Sequence, residues 1–297
     1  MDFKKIKTDF EKRYQKKCES VFFTGLPVTF FESNTGRISG CVSLGEALAV
    51  SKRDDGRITV QFSGSDKMLC FNVNEIEKSR DHRLVRTLIK LKKCGVKLGG
   101  GDIFIFKNSS ITDLETPLVI GGISSFSEDA PSKEKLLPHF ENYPQNLSAL
   151  LGKSKSITVQ DGQRTYWLPG FSGCKIVISR IGEDASIKKP KDTACMADAI
   201  VMLKRADFGG FCQLLERETE RLIKGNKKGG QALLFKVAKN AGDALGSGLT
   251  EGGIFSVVED RKVDTFIHNV LLLCRKYYGE NPEFFVTDFV DSGVFIK

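Results

Sequence analysis

Phe3, Ile6, Phe10 and Tyr14 recur at i, i+3, i+7 and i+11, the spacing of one face of a helix, and predict a helix over residues 2–17. Leu84, Leu88 and Leu91 mark a second helix over 80–94, closed by Gly95, where a left-handed cap costs a glycine least. Helical stretches are also read at 194–223, 230–242 and 262–278, the last with Phe266, Val270, Leu273 and Tyr277 on one face. Strand-like runs fall at 21–23, 41–50, 57–62, 102–106, 157–159, 174–179, 254–259, 283–288 and 294–296. The connection Arg53-Asp54-Asp55-Gly56 carries an Asp-Gly turn signal and predicts that 41–50 and 57–62 pair as a hairpin. Residues 24–40 read as a loop, 121–145 as a loop or short helices, and 181–192 as a polar connector. Strands and helices without strict βαβ alternation indicate an α+β class, with two lobes meeting near residue 170, at 1–170 and 171–297. No internal repeat is found.

Composition narrows the function classes. The 297 residues are 40% hydrophobic and 28% charged, which is a globular balance. No apolar run approaches the roughly 18 residues that cross a bilayer, so no membrane partner is expected. The start, MDFKKIKTDFEKRYQKK, has no apolar core of a secretory signal. Eight scattered cysteines without a CxxC pair point to reduced thiols and a cytoplasmic setting. His82, His139 and His268 are too far apart in sequence to suggest a metal cluster, so no metal ligands are assigned. The net charge of +8 permits attraction to phosphates. Its denser runs, 4–17, 188–191 and 221–228, read as solvated faces rather than a nucleic-acid surface. Trp167 reads as a strand-edge packing residue, Asp207 as a helix-start residue, and the 22 phenylalanines chiefly as core.

The run Ala206-Asp207-Phe208-Gly209-Gly210-Phe211-Cys212-Gln213-Leu214-Leu215 resembles the "gDf..FG.Lm" helix of galactokinases, in the GHMP superfamily of small-molecule kinases. Gly246-Ser247-Gly248-Leu249-Thr250-Glu251-Gly252-Gly253 is similar to that family's third motif, G-S-R-M-T-G-G-G. The opening helix with Val21-Phe22-Phe23-Thr24 resembles the entry to its first motif. The resemblance is one of segment order over nearly the whole chain. It implies a two-lobed GHMP-kinase-like fold with a cleft between the lobes, and ATP held in a glycine- and serine-rich loop at a helix N-terminus.

Residue by residue, the chemistry departs from the family pattern. Against the first motif, P-G-R-V-N-L-I-G-E-H-T-D-Y-N-G-G, this chain runs from Gly25 to Gly40, and Val28, Thr35 and Gly40 match. Pro27 stands where the family's charge-stabilising arginine would be. Ser33, Asn34 and Gly36 replace the sugar-gripping Glu-His-x-Asp set, although a shifted register brings Glu32 opposite the glutamate. The second motif, G-L-S-S-S-A, has an echo in Gly122-Ile123-Ser124-Ser125-Phe126-Ser127, where Gly121, Gly122, Ser124 and Ser125 could offer amides and hydroxyls to a nucleotide. Glu128, Asp129 and Pro131 follow it, and the two acids would repel ATP. The family's catalytic aspartate falls on Pro144, which has no group to accept a proton.

The resemblance therefore implies a galactokinase-like protein without phosphoryl transfer, a pseudokinase, with no catalytic residue assigned. It would act as a ligand-binding or regulatory module for a sugar, a nucleotide or a protein partner. ATP and magnesium enter if the nucleotide loop is retained. Glu32, Asn34, Gly252 and Gly253 are the substrate-contact candidates, Gly246 to Gly253 reading otherwise as a tight turn. The alternative is an active ATP-dependent sugar kinase with a rearranged site. Glu32, Asp161 or Asp184 would then supply the base and Arg37 or Arg164 the cation. A third reading, a basic surface for nucleic acid or an acidic partner, would show itself by steep salt dependence.

Overall fold

The computed structural model describes residues 1–34, 36–78, 82–107, 114–124, 130–140, 143–162, 164–181, 195–224, 229–250 and 253–296. The elements run, in chain order, α1 (Phe3–Tyr14), β1 (Ser20–Glu32), β2 (Gly36–Arg53), β3 (Arg57–Phe62), β4 (Met68–Asn72), α2 (Arg83–Lys93), β5 (Gly100–Lys107), α3 (Glu115–Ser124), α4 (Lys133–Leu136) and α5 (Tyr143–Leu151). Then follow β6 (Ser156–Asp161), β7 (Arg164–Pro169), β8 (Cys174–Arg180), α6 (Met196–Lys204), α7 (Phe208–Lys224), α8 (Gly230–Ala241), β9 (Ala244–Thr250), β10 (Gly253–Glu259), α9 (Val263–Tyr278), β11 (Glu283–Thr287) and β12 (Val294–Ile296). The chain forms two compact units rather than parting at a single cut near residue 170. One unit comprises Met1–Leu26, Leu44–Gly152 and Asp291–Lys297; the other comprises Pro27–Ser43 and Lys153–Val290.

In the first unit the strand order is β12-β1-β2-β5-β3-β4. Alternation of side chains sorts its residues onto two faces. Phe22, Leu48, Val50, Ile103 and Ile105 point to one side and pack with Leu84 and Leu88 of α2, Leu118 and Val119 of α3 and Leu150 of α5. Val21, Ala47, Ala49 and Phe104 point to the other and meet Ile6 and Phe10 of α1. Asp2 caps α1, its Oδ1 accepting from the Lys5 amide at 3.0 Å.

Here β5 enters between β2 and β3. Arg53 pairs with Gly100 on one side and Ile58 with Gly101 on the other. The two runs flanking Asp55-Gly56 are therefore not partners, and the predicted hairpin is replaced by a connection that spans β5. Gly100 permits this entry, because a Cβ there would lie 2.7 Å from Arg53 O and 2.9 Å from Arg57 O. The next residue but one, Asp102, carries a carboxylate that is 4% exposed. It accepts from Arg53 Nη1 at 2.9 Å and Thr59 Oγ1 at 2.5 Å. Tyr14 donates to Ile103 O at 2.6 Å.

The second unit holds the hairpin formed by the end of β1 and the start of β2, extended by β6 and β7. It also holds a four-stranded antiparallel sheet, β11-β8-β10-β9. Phe235 of α8 and Phe266 and Val270 of α9 cover Val177, Leu249, Ile254 and Val258 on one face. Phe255, on the other face, meets Phe30 at 5.4 Å between ring centroids, and Phe30 meets Phe211 of α7 at 5.5 Å.

The described part of 121–145, read as a loop or short helices, holds the end of α3, the short α4 and the start of α5. Three more expectations are corrected here. Residues 24–40 are mostly strand, not loop. Residues 194–223 break into α6 and α7 at Ala206, whose φ is +54°. Residues 244–250 form a strand paired with β10 in place of a lone glycine turn. Asp207 caps α7 as read, accepting from the Gly210 amide at 2.9 Å. All eight cysteines are free. Among the described residues no helix is long and apolar enough to cross a membrane, and no group of three His, Cys, Asp or Glu side chains could hold a metal ion.

Candidate functional site

In the second unit the first-motif stretch forms a β-hairpin. Pro27 is buried within β1, where it cannot contribute a charge. Ser33 closes the turn: its amide donates to Gly36 O at 2.9 Å, and its Oγ accepts from the Gly36 amide at 3.0 Å. Asn34 is exposed at the tip. Glu32 and Arg37 flank this turn and form an ion pair. The proposed base and cation of the kinase alternative are thus each other's partners. Asp161 and Arg164 face one another across the β6–β7 turn and are both exposed. Asp184 lies outside the described residues.

The third-motif stretch is also in this unit. Gly253 opens β10, where a Cβ would run into the carbonyl oxygen of Ser179. Gln231 of α8, buried, donates from Nε2 to Thr250 O at 2.8 Å and to Gly253 O at 3.0 Å, which pins both ends of the turn. Gly252 lies outside the described residues. No periodic signal marks Gln231, a polar residue on a buried helix face.

In the first unit, Gly121, Gly122 and Ser124 occupy the last part of α3. A Cβ on Gly121 would come within 2.5 Å of Phe22 Cε1 and 2.8 Å of Leu150 Cδ2; one on Gly122 would come within 3.2 Å of Leu48. Ser124 Oγ donates back to Ile120 O. Ser125 lies outside the described residues. A phosphate cradle needs the amide end of a helix, where unpaired N–H groups and the dipole favour anions. These residues sit at the carbonyl end. Pro144 stands in the first turn of α5, where its missing N–H costs nothing.

The amide end of α3 carries a different set. Glu115, its first residue, has a side chain only 6% exposed. Lys107 Nζ, at the end of β5, lies 3.5 Å from Glu115 Oε2. His82 Nδ1 lies 4.0 Å from Oε1. His82 Nδ1 also accepts from the Leu84 amide at 3.2 Å and so caps the start of α2. Arg83 Nε donates to Thr116 Oγ1 at 3.2 Å. Lys107 also lies 5.3 Å from the centre of the Phe62 ring. This cluster escaped the sequence reading because its members are scattered over four elements. On α4, burial pushes the Lys133 ammonium pKa down; its Nζ donates to Gly293 O at 2.8 Å and lies 5.0 Å from the Phe22 ring centre.

No family model and no curated protein sequence matches the chain. Among solved structures, the galactokinase of Lactococcus lactis complexed with galactose superposes with a TM-score of 0.81. The match covers 99% of each chain at 14% identity. The fold is that of the GHMP kinases. A putative sugar kinase from Campylobacter jejuni matches with a TM-score of 0.61 at 16% identity, over 95% of this chain and 100% of its own. Homoserine kinase from Cytophaga hutchinsonii gives 0.60 at 15% identity, over 93% and 96%. These superpositions, at 14–16% identity, show the fold alone and leave activity to the residues described above.

Proposed function

We propose that this GHMP-fold protein does not transfer phosphoryl groups and serves as a ligand-binding or regulatory module. One observation carries the reading: the first turn of α3 already carries an anion of the chain's own, the buried Glu115 carboxylate, with Lys107 beside it. A carboxylate at that end gains from the helix dipole. A phosphate oxygen brought about 4 Å from it would be repelled by about 4 kcal/mol per unit charge at an effective dielectric near 20. Lys107, which could otherwise serve a phosphate, is engaged in the pair. The residues present therefore do not fit a nucleotide polyphosphate at this helix end. The replacement of a general base by Pro144 and of a cation by Pro27 supports the same conclusion.

The test is a titration with Mg-ATP to 5 mM, alone and with galactose, read by thermal denaturation and by transfer of labelled phosphate. A Kd of about 50 µM would stabilise the fold by about 2.7 kcal/mol at that concentration. No saturable shift and no labelled sugar are expected. A saturable shift accompanied by transfer to galactose would overturn the proposal and establish the sugar-kinase alternative.

A further inference from the structure

The hairpin of the second unit contains a cation that the described residues leave only partly satisfied. Arg37 has a side chain only 9% exposed, and among the described residues its ion pair is Nη2 to Glu32. Its Nε has no hydrogen-bond partner among the described residues. A guanidinium carries five N–H donors and remains charged at any working pH. Burying it on one carboxylate, itself 30% exposed, leaves most of that capacity unused.

The strand register adds a second unmatched group on the same face. Arg37 pairs with Gln160 and Ser39 with Thr158, so these four side chains project to one side of the β2–β6 pair. All four are buried. Thr158 Oγ1 also has no hydrogen-bond partner among the described residues. It stands diagonally across from Arg37, at a Cα separation of about 7–8 Å that a long side chain can span. The opposite face of the pair carries Ile38 and Val159 and is apolar. A buried face bearing an underused guanidinium and a free hydroxyl suits an oxyanion on a hydroxyl-bearing body.

We infer that Arg37, with Thr158, binds the carboxylate or phosphate of an anionic sugar-sized ligand, at the position where the family resemblance leads one to expect contacts to a neutral sugar. This rests on the ligand-binding reading above and specifies its ligand class. Glu32 holds one edge of the guanidinium and orients the rest.

The experiment titrates the full chain at constant ionic strength with D-galacturonate, galactose 6-phosphate and D-galactose, each to 10 mM, and follows thermal denaturation. Either anionic sugar is expected to raise the melting temperature saturably, and D-galactose to leave it unchanged. The two anionic probes separate a carboxylate site from a phosphate site. Arg37→Met, verified as folded by far-ultraviolet circular dichroism, should weaken the response at least tenfold, and Arg37→Lys should restore part of it. Should Arg37→Met not fold, Thr158→Val provides the second variant and is expected to weaken the same response. Equal shifts in wild type and variant, a response to D-galactose alone, or no response to either anion would overturn the inference. Mg-ATP is scored separately, so phosphoryl transfer would refute the proposed function without deciding this one.

Discussion

Gly121 and Gly122 are adjacent in α3, yet alanine should act on them in opposite directions. Alanine is favoured over glycine in a helix by about 0.8–1.0 kcal/mol, and both positions gain that term. At Gly121 the new Cβ would run into the Phe22 ring and meet Leu150 Cδ2 at 2.8 Å. Phe22 is fully buried and is held on its other sides by Phe295, 5.1 Å away between centroids, and by Lys133. The ring has no free direction, so overpacking costs about 1–3 kcal/mol. The contact is closer than real side chains tolerate, which places the cost near the upper end. Gly121→Ala should then lose about 2 kcal/mol net. At Gly122 the nearest atoms are Leu48 methyls at 3.2 and 3.3 Å, which need move only slightly. Gly122→Ala should be neutral or gain about 0.5 kcal/mol. Urea denaturation followed by circular dichroism measures both. Equal destabilisation by the two variants, or a loss at Gly122 larger than at Gly121, would refute the packing account and return both glycines to a backbone or ligand role.

Asp102→Asn removes a buried charge from Arg53 and Thr59. Arg53 keeps Asp55 and is 29% exposed, so the loss should fall at the low end of the range for broken buried pairs, about 3 kcal/mol in urea. A change below about 0.5 kcal/mol, the level of an ordinary surface substitution, would show the pair to be dispensable. The buried thiols make a prediction about pH. Burial pushes Cys212 up to about 12 and Cys195 and Cys274 up to about 11, from 9.0. A raised folded-state pKa gives stability that is intact below the unfolded value and is lost as pH rises past it. Between pH 8 and 10 each thiol should therefore withdraw about 1 kcal/mol. The urea midpoint of Cys212→Val should fall less over that interval than the wild-type midpoint, and an identical fall would exclude the thiol as a cause.

The helices α1, α2 and α9 were legible because each buries one stripe, and the 3.6-residue period survives in the sequence. The strands around the first motif were not. Gly25, Pro27, Gly36 and Gly40 resemble loop punctuation, yet all four lie in strands, and at Gly36 and Gly40 close neighbours leave no room for a Cβ. A Cβ on Gly40, for example, would meet Phe289 Cδ1 at 2.9 Å. The same holds for β9, where a Cβ on Gly246 would lie 2.7 Å from Cys212 Cβ. The break between α6 and α7 depends on one left-handed residue, Ala206, whose identity gives no warning. Segment order did identify the fold. The site was legible only as residue types: Glu32 and Arg37 were both named, but their pairing and the burial of Arg37 follow from the hairpin register. Glu115 and Lys107 required the structure, because a strand and a helix bring them together.

The chain's division into units has a consequence for how the protein is made. Residues 294–296 pair with 21–23, a closure across some 270 intervening positions. The sheet of the first unit thus cannot acquire this strand until nearly the whole sequence shown has been synthesised. Through translation, Val21 to Phe23 wait as an apolar sheet edge, the kind of edge that recruits the wrong strand. Contacts this distant in sequence also form slowly after release. A nascent chain stalled before residue 290 should be held by chaperones through its first segment, although nothing is missing from that segment itself.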